Sequence, residues 1–532
     1  MCREGYDLIR LTVFRVALAF AALLTLCILA RPVLPVDETR YLAVAWEMHL
    51  SQDVYHLTRN FAPYAHKPPL LFWIINLVWL IGGSEFAARL VGPAFAVFAL
   101  VGTAALARRI WEGHVGTGIR AAAILSGFLI FALYGSATMF DTMLTLAVLA
   151  GIASLWTIGE GQGDQPNQTW GPWLVLGLAF GLGTYAKGPV ILVHLLPPLL
   201  TMSLWAPRPP FWGRIAKGTG LALATGLALV ALWLIPALVT ADAAYRKELL
   251  WTQSFDRVAG GMAHDRPFWF LWALLPVILF PWGWSWRLWR ALAVTWRADA
   301  GIRLCGIWAI SGLILFSFVS SKQAHYLVPE LPALAMIFAR LLSQPGRVGR
   351  GLFFAPMAVL VVAALTAAIA VGIIPEVPLP ADLTPLVLGL FAAVLAALAI
   401  LALRLPFLPG HLAMGWGIVL ALHGLIYFGG IGALYDSRIL ASKLAAHAGQ
   451  GLAITGDSYS AEVNFALRAT QPIATPQTPS ELKDWATAHP QGLVFGPIRS
   501  APITAPPKDQ VSFNGEEIGI WPAETVAISV RE

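Results

Sequence analysis

Charge is scarce in this sequence. Only 12% of its 532 residues are Asp, Glu, Lys or Arg, about half the share of roughly 25% usual in soluble domains. A soluble enzyme of this length needs more charge to cover its surface, and a disordered chain needs low hydrophobicity. Both classes are excluded. Cysteine is nearly absent too. Cys2, Cys27 and Cys305 have no metal-ligand spacing, and their positions near the start and inside apolar segments argue against disulfides. What is plentiful is apolar. Hydrophobic residues make up 58% of the chain and the mean hydropathy is +0.70. That composition belongs to a polytopic membrane protein whose solvent is mostly lipid. The 22 Trp fit this class, since Trp gathers at membrane interfaces. The net charge of +6 is no sign of nucleic-acid binding, because Lys and Arg in such a chain mainly set orientation.

A spanning helix takes about 20 apolar residues. The pattern predicts thirteen, near 12–30, 88–107, 121–135, 141–157, 172–186, 188–205, 216–239, 267–286, 303–319, 326–343, 352–374, 383–403 and 411–434. The first resembles a signal peptide but runs into Arg31-Pro32 without a small-residue cleavage site, so it is expected to stay as an anchor. A further apolar run, 69–83, is short. Arg3, Arg10 and Arg15 and the clusters Arg108–Arg120, Arg208–Lys217, Arg287–Arg303 and Arg340–Arg350 mark the cytoplasmic side. Returning from helix 12–30 to Arg108-Arg109 takes an odd number of crossings, which 88–107 alone supplies. Run 69–83 is therefore expected to be an interfacial or re-entrant helix within a first outer loop, 31–87. The odd count places the tail outside. There charge and Pro rise, and short strand-like runs occur at 452–457, 492–498 and 526–532 around an amphipathic stretch, 480–489. The expected organisation is a membrane domain, 1–435, followed by a small outer α/β domain, 436–532.

Ionisable residues near lipid are costly and usually functional. Here they collect on the outer side: Asp37-Glu38-Thr39-Arg40-Tyr41, Tyr64-Ala65-His66-Lys67, Asp141, Lys187, the loop 240–266 with Arg257 and His264, and Lys322-Gln323-Ala324-His325-Tyr326. Separated carboxylates such as Asp37 and Asp141 offer a base and a charge stabiliser. Cations offer a seat for a phosphate leaving group. His66 and His264 with nearby acids offer ligands for a divalent metal. Each also has a plain structural reading. Acids suit helix N-termini, lysines snorkel, and His194 and His423 are expected to be satisfied core histidines.

The order of motifs is then telling. Asp37-Glu38-Thr39-Arg40-Tyr41, His66-Lys67-Pro68-Pro69-Leu70, Phe86-Ala87-Ala88-Arg89-Leu90, Thr138-Met139-Phe140-Asp141, Thr184-Tyr185-Ala186-Lys187-Gly188-Pro189, Pro267-Phe268-Trp269-Phe270 and Ser321-Lys322-Gln323-Ala324-His325-Tyr326 resemble, in sequence order, the lipid A aminoarabinose transferases. These group with protein O-mannosyltransferase-like, GT-C-type glycosyltransferases. The resemblance covers roughly residues 10–345. It implies an all-α polytopic GT-C fold of about thirteen transmembrane helices with a small C-terminal α/β outer domain, in the bacterial inner membrane. It also implies an inverting transferase that takes a sugar (pentose, aminoarabinose-like, hexose or uronic acid) from a polyprenyl-phosphate donor to lipid A or another envelope acceptor at the periplasmic face, without nucleic acid.

By that resemblance Asp37 matches an essential first-loop acid and Asp141 a second one, with Glu38 beside them as a catalytic candidate. Lys67 matches a lysine at the lipid phosphate, with Lys187, Arg257 and Lys322 as helpers. Arg40, Tyr41, Tyr64, His325 and Tyr326 are the substrate-binding candidates. His264 falls near a metal-holding histidine. The family's Glu-Lys-Pro-Pro reads His66-Lys67-Pro68-Pro69 here. A histidine ligand suits Zn²⁺ better than Mg²⁺, which leaves both metals as expectations. The alternatives are a transporter of a lipid-linked saccharide and a transferase acting on protein hydroxyls.

Overall fold

The structure, a computed structural model, describes residues 2–114, 116–161, 169–249, 266–343, 354–374, 383–456 and 459–531, with the backbone alone for 2–11. The first long helix is α1 (Cys2–Leu29). A loop region follows with two short helices, α2 (Asp37–Ser51) and α3 (Leu70–Trp79), and a two-stranded ribbon, β1 (Thr58–Arg59) with β2 (Ala62–Pro63). Helix α3 has ten residues, about 15 Å at 1.5 Å each, half the thickness of the hydrocarbon core. It is too short to span, and it packs on α2 where Phe72 meets Tyr41 edge to face, 6.3 Å between ring centroids.

Next come α4 (Glu85–Arg89), α5 (Val91–Ile110), α6 (Thr117–Gly127), α7 (Leu129–Gly135), α8 (Asp141–Glu160), α9 (Gly171–Lys187), α10 (Ile191–Leu200), α11 (Met202–Trp205), α12 (Trp212–Thr240) and α13 (Ala243–Lys247). Later membrane helices are Ala300–Ser317, Leu331–Leu342, Phe354–Ala370, Pro385–Arg404 and Phe407–Phe428. Among the described residues nine helical stretches are long and apolar enough to cross a membrane, or ten if α6 and α7, bent by 73°, form one span. One of the nine, Gly171–Leu200, folds back on itself. Ser154 of α8 donates to the Pro172 carbonyl at one end of α9, and Lys187 at the other end reaches Asp141. Gly151 then backs onto Leu195, and Gly159 onto Trp205. So α9 runs against α8 and α10–α11 runs with it. The stretch makes two passes, in the positions expected from sequence (172–186 and 188–205). The expectation of one straight helix over 267–286 is corrected. The helix there is Phe270–Ile278, nine residues or about 14 Å, and a separate turn covers Trp282–Trp284. Pro276 lies inside this helix near its end, and Pro281, which has no amide to donate, follows that end.

Charged anchors gather at the end of the bundle opposite the α8 N-terminus. Arg109 pairs with Glu112 (2.6 Å) and Glu160, Arg340 with Asp299 (2.9 Å), and Arg120 donates to Ser343 (3.1 Å).

The tail carries a four-stranded sheet in the order β3-β4-β6-β5. Strands β3 (Leu452–Ile454) and β4 (Leu493–Pro497) are parallel, while β5 (Asp509–Phe513) and β6 (Glu516–Pro522) are antiparallel neighbours. Helix Pro479–Ala488 is the amphipathic stretch expected at 480–489. The strand expected at 526–532 is corrected: residues Ala523–Ser529 are helical. The missing strands form the 509–522 hairpin, whose turn is Asn514-Gly515 with φ of 54° and 82°. An Asn-Gly turn between such runs is the strongest short hairpin signal a sequence can carry. The tail is fastened to the first loop. Asn60 donates to the Ile473 carbonyl (2.7 Å) and accepts from the Ile473 amide (2.9 Å) and the Asn464 side chain (3.1 Å). The Trp46 indole donates to the Ala469 carbonyl (3.0 Å).

Candidate active site

Helix α2 begins with two acids in its first turn, which complements the helix dipole. The two acids part company at once. Glu38 turns inward. It pairs with Arg31 through both oxygens and accepts from the amides of Leu34 (2.9 Å) and Thr138 (2.7 Å). Burial is the largest single influence and would raise its pKa, but the charge and hydrogen bonds of Arg31, with Arg89 and the Thr138 amide, together hold the carboxyl below its usual value. Arg31 also donates to the Ser136 carbonyl (3.0 Å), and Arg89 to the Arg31 carbonyl (2.9 Å). Glu38 therefore ties the start of α2 to the segment just before α8.

Asp37 points the other way. Its side chain is 40% exposed. It accepts from Tyr41 Oη (3.0 Å) and from Arg40, residues one helical turn on and so on the same face. Tyr41 is buried, its ring 4.8 Å from that of Phe140. Burial first, and the neighbouring Asp37 carboxylate second, keep its phenol protonated well above the ordinary value. The Lys67 ammonium lies 5.8 Å from the Tyr41 ring centroid and 5.7 Å from that of Phe140.

Phe140 leads into Asp141, whose side chain is only 2% exposed. Lys187 at the end of α9 donates to Asp141 Oδ1 (2.5 Å), and its ammonium lies 4.7 Å from the Tyr326 ring centroid. The His325 ring is 5.0 Å from that of Tyr326 and 5.4 Å from that of Tyr134. The charges of Asp141, Lys187, Lys67 and Asp37 all reach His325. Residues from α2, the 64–67 loop, α8, α9 and the 324–326 turn thus converge on one volume.

The other expected residues divide. Tyr64 is buried, with Arg59 5.4 Å above its ring and the His66 imidazole stacked on it at 5.3 Å. His66 Nε2 lies 3.4 Å from Glu248 Oε1, which also accepts from the Ala65 amide (3.3 Å). Lys322 donates to the Arg266 carbonyl (2.5 Å), and the Arg266 amide donates to the Ser320 carbonyl (3.1 Å). This pins the 320–322 turn beside the cluster. Arg257 and His264 lie outside the described residues. Among the described residues no group of three His, Cys, Asp or Glu side chains comes together as a metal site. His66 and Glu248 supply two donors. His423 Nδ1 donates to the Val419 carbonyl (2.8 Å), while His194 Nδ1 meets Glu330 (2.6 Å) inside the bundle and leaves its buried Nε2 without a hydrogen-bond partner, so the expectation of a satisfied core histidine is corrected there. Sequence reasoning passed over Tyr134 and Glu248. Both lack a local signal, since Tyr134 reads as one more aromatic at an apolar helix end, and Glu248 as one charge in a polar loop.

What this arrangement offers is a half-open carboxylate beside a pair of lysines held by aromatic rings and a shielded acid. That suits binding an anion and directing a nucleophile next to it.

Comparisons with known proteins agree with this layout. Residues 66–239 match the dolichyl-phosphate-mannose-protein mannosyltransferase family. The undecaprenyl phosphate-alpha-4-amino-4-deoxy-L-arabinose arabinosyl transferase 2 of Pseudomonas fluorescens is 29% identical over 325 residues, 59% of this chain and 56% of that protein. The corresponding transferase of Pseudomonas aeruginosa (strain UCBPP-PA14) is 29% identical over 371 residues, 67% of this chain and 66% of that protein. The chain thus spans a little over half to about two thirds of the length of these curated relatives. The crystal structure of ArnT from Cupriavidus metallidurans bound to undecaprenyl phosphate superposes with a TM-score of 0.71 at 18% identity, covering 96% of this chain and 97% of that one. The apo form of the same protein gives 0.72. The chain is therefore a multi-pass membrane protein with the GT-C-type fold, and in sequence and shape it is similar to the aminoarabinose transferases and the protein mannosyltransferases that group with them.

Proposed function

We propose that this protein is an inverting glycosyltransferase that moves a sugar from a polyprenyl-phosphate donor to lipid A or another envelope acceptor, at the periplasmic face of a bacterial inner membrane. The observation that carries this reading is the cluster itself: Asp37, Lys67, Asp141 and Lys187 meeting at one end of an otherwise apolar bundle. The curated relatives named for transfer from undecaprenyl phosphate-linked aminoarabinose support the donor class.

Lys67, with Lys187 behind it, receives the donor's phosphate and stabilises it as it departs. Asp141 is shielded and paired, so it positions Lys187 instead of touching the acceptor. Asp37 is half open and orients the acceptor at the sugar's anomeric carbon. When the acceptor is a hydroxyl, Asp37 removes its proton; when it is a phosphate, no base is needed. Glu38 holds the start of α2 in place. His325, Tyr326, Arg40 and Tyr41 wall the site. An apolar cavity of about 600 Å³ between α2–α3 and α9–α12, lined by Trp73, Leu77, Tyr185 and Trp233, opens two residues from Lys187 and suits the donor's prenyl chain. If a divalent ion binds, His66 and Glu248 are the described donors, and no step here depends on it. The tail, 436–532, is taken as a separate outer unit.

The test is incubation of the purified protein with undecaprenyl-phosphate sugars and with lipid A or hydroxyl-bearing envelope acceptors, read by mass spectrometry. A glycosylated product is expected, and Asp37→Asn should lower transfer to a hydroxyl acceptor about 100-fold or more. Donor binding without transfer to any acceptor would count for the transporter instead.

A further inference from the structure

A second cavity lies in the tail and is chemically unlike the first. It measures about 440 Å³ and is bounded by the carboxyl ends of the parallel strands β3 and β4, the β5–β6 hairpin and, from the membrane part, Val36. Ligands of open α/β sheets bind outside the carboxyl ends of parallel strands. The chain needs special backbone there. Gly456 has φ of +135°, and a Cβ on Gly496 (φ +159°) would come within 2.2 Å of the Thr455 carbonyl oxygen.

The lining is polar. Hydroxyls come from Thr455, Tyr459, Ser460 and Ser500, a side-chain amide from Asn514, and carboxylates from Glu462 and Glu516. Phe495 and Phe513 supply flat apolar faces. Glu462 is fixed in place by the Ser460 amide, 2.9 Å from Oε2. Among the described residues no Lys or Arg lines the cavity, and two carboxylates do, which disfavours a phosphate. Many hydroxyls, two carboxylates and aromatic faces suit a polyhydroxylated ring, uncharged or carrying an amine.

Its place is equally specific. Val36 is the residue before Asp37, and the charge of Arg40, which grips Asp37, reaches Glu462. A chain of hydrogen bonds joins cavity and helix. Tyr459 donates to Asn464, Asn464 to Asn60 (3.1 Å), and the Asn60 amide to Glu47 of α2 (2.7 Å).

We propose that this tail cavity binds an uncharged or amine-bearing saccharide unit of the acceptor, and so holds the acceptor's nucleophilic group beside Asp37. The proposal rests on the transferase reading for its role in the reaction, but not for binding. The donor's phosphate is anchored at Lys67 and Lys187, and the described lining of the cavity has carboxylates and no Lys or Arg, which favours the acceptor as the source of the sugar.

Two variants test it in the full chain in lipid nanodiscs. Ser500→Trp fills the cavity, and Glu462→Gln removes one of its two carboxylates while keeping its shape. The probe is a free glucosamine disaccharide followed by saturation-transfer NMR. Saturation transfer to the sugar is expected in the unaltered protein and is expected to vanish in Ser500→Trp. In transfer assays the acceptor KM should rise at least tenfold in Ser500→Trp and several-fold in Glu462→Gln, with kcat and the donor KM within twofold. Disaccharide signal unchanged in Ser500→Trp would overturn the proposal, as would a rise in donor KM in place of acceptor KM. If no transfer activity exists at all, the NMR measurement still decides whether the cavity holds a saccharide. Circular dichroism and size-exclusion profiles matched to the unaltered protein exclude misfolding as the cause of a lost signal.

Discussion

At the scale of the residue, the contrast between Asp37 and Asp141 sets the roles. Both begin helices, yet one side chain is 40% exposed and the other 2%. A carboxylate sealed among Phe140, Tyr326 and the helix ends is tolerable only because Lys187 sits 2.5 Å away. Removing one partner of such a pair leaves an uncompensated buried charge and costs about 3–5 kcal/mol. Lys187→Met is therefore expected to lower the thermal unfolding temperature in detergent sharply. The double variant Asp141→Asn with Lys187→Met should recover much of that loss, while transfer stays absent in both because the second phosphate cation is gone. Unfolding temperatures measured beside product yields separate the two effects. A Lys187→Met protein as stable as the unaltered one would show that the pair is not desolvated.

At the scale of the element, α2 is the helix on which the site turns. Its inner face is set by Glu38 and Arg31, and its outer face carries Asp37, Arg40 and Tyr41. The Glu38 carboxyl has a folded-state pKa below its unfolded one, because Arg31, Arg89 and the Thr138 amide together outweigh burial. A depressed carboxylate stabilises the fold fully above its unfolded pKa, about 4.3, and that contribution is lost as pH falls through the lower folded value. Unfolding temperature should thus drop steeply on acidification below about pH 4. Glu38→Gln should be less stable at pH 7 and show a shallower acid slope, as thermal scans at pH 7, 4 and 3 would register. Parallel slopes would remove Glu38 from this role. The same helix marks what sequence can and cannot tell. Asp37, Lys67, Asp141 and Lys187 stood out because ionisable side chains are rare beside apolar runs, and the structure brings them into one volume. The inward turn of Glu38 was not legible, since its partners Arg31 and Thr138 are set by tertiary packing, 7 and 100 positions away. Many membrane helices were legible from apolar length, but 121–135 is two helices bent by 73°, the helix within 352–374 is the shorter Phe354–Ala370, and the run 267–286 is helical only over Phe270–Ile278. In the tail, β3 and β4 were legible as short apolar runs, while the run expected as a strand from 526 on begins inside the helix Ala523–Ser529 that follows β6.

At the scale of the whole molecule, scarce charge is sorted by end. One end holds arginines that pair with Glu112, Glu160 and Asp299 or donate to Ser343, an anchoring pattern. The other end holds the lysine and carboxylate cluster, with the tail clasped over it through Asn60, Trp46 and Ala469. Cytoplasmic loops are enriched in Lys and Arg, so the anchored end is expected inside and the tail outside. Single cysteines test this in a Cys2→Ser background, because Cys27 and Cys305 are buried. Thr487→Cys, exposed on the tail helix, should react with a membrane-impermeant maleimide on cells whose outer membrane alone is opened. His114→Cys, exposed between α5 and α6, should react only after the inner membrane is also breached. The reverse pattern would place the cluster in the cytoplasm, where neither lipid A on the outer leaflet nor a donor already flipped across the membrane can meet it.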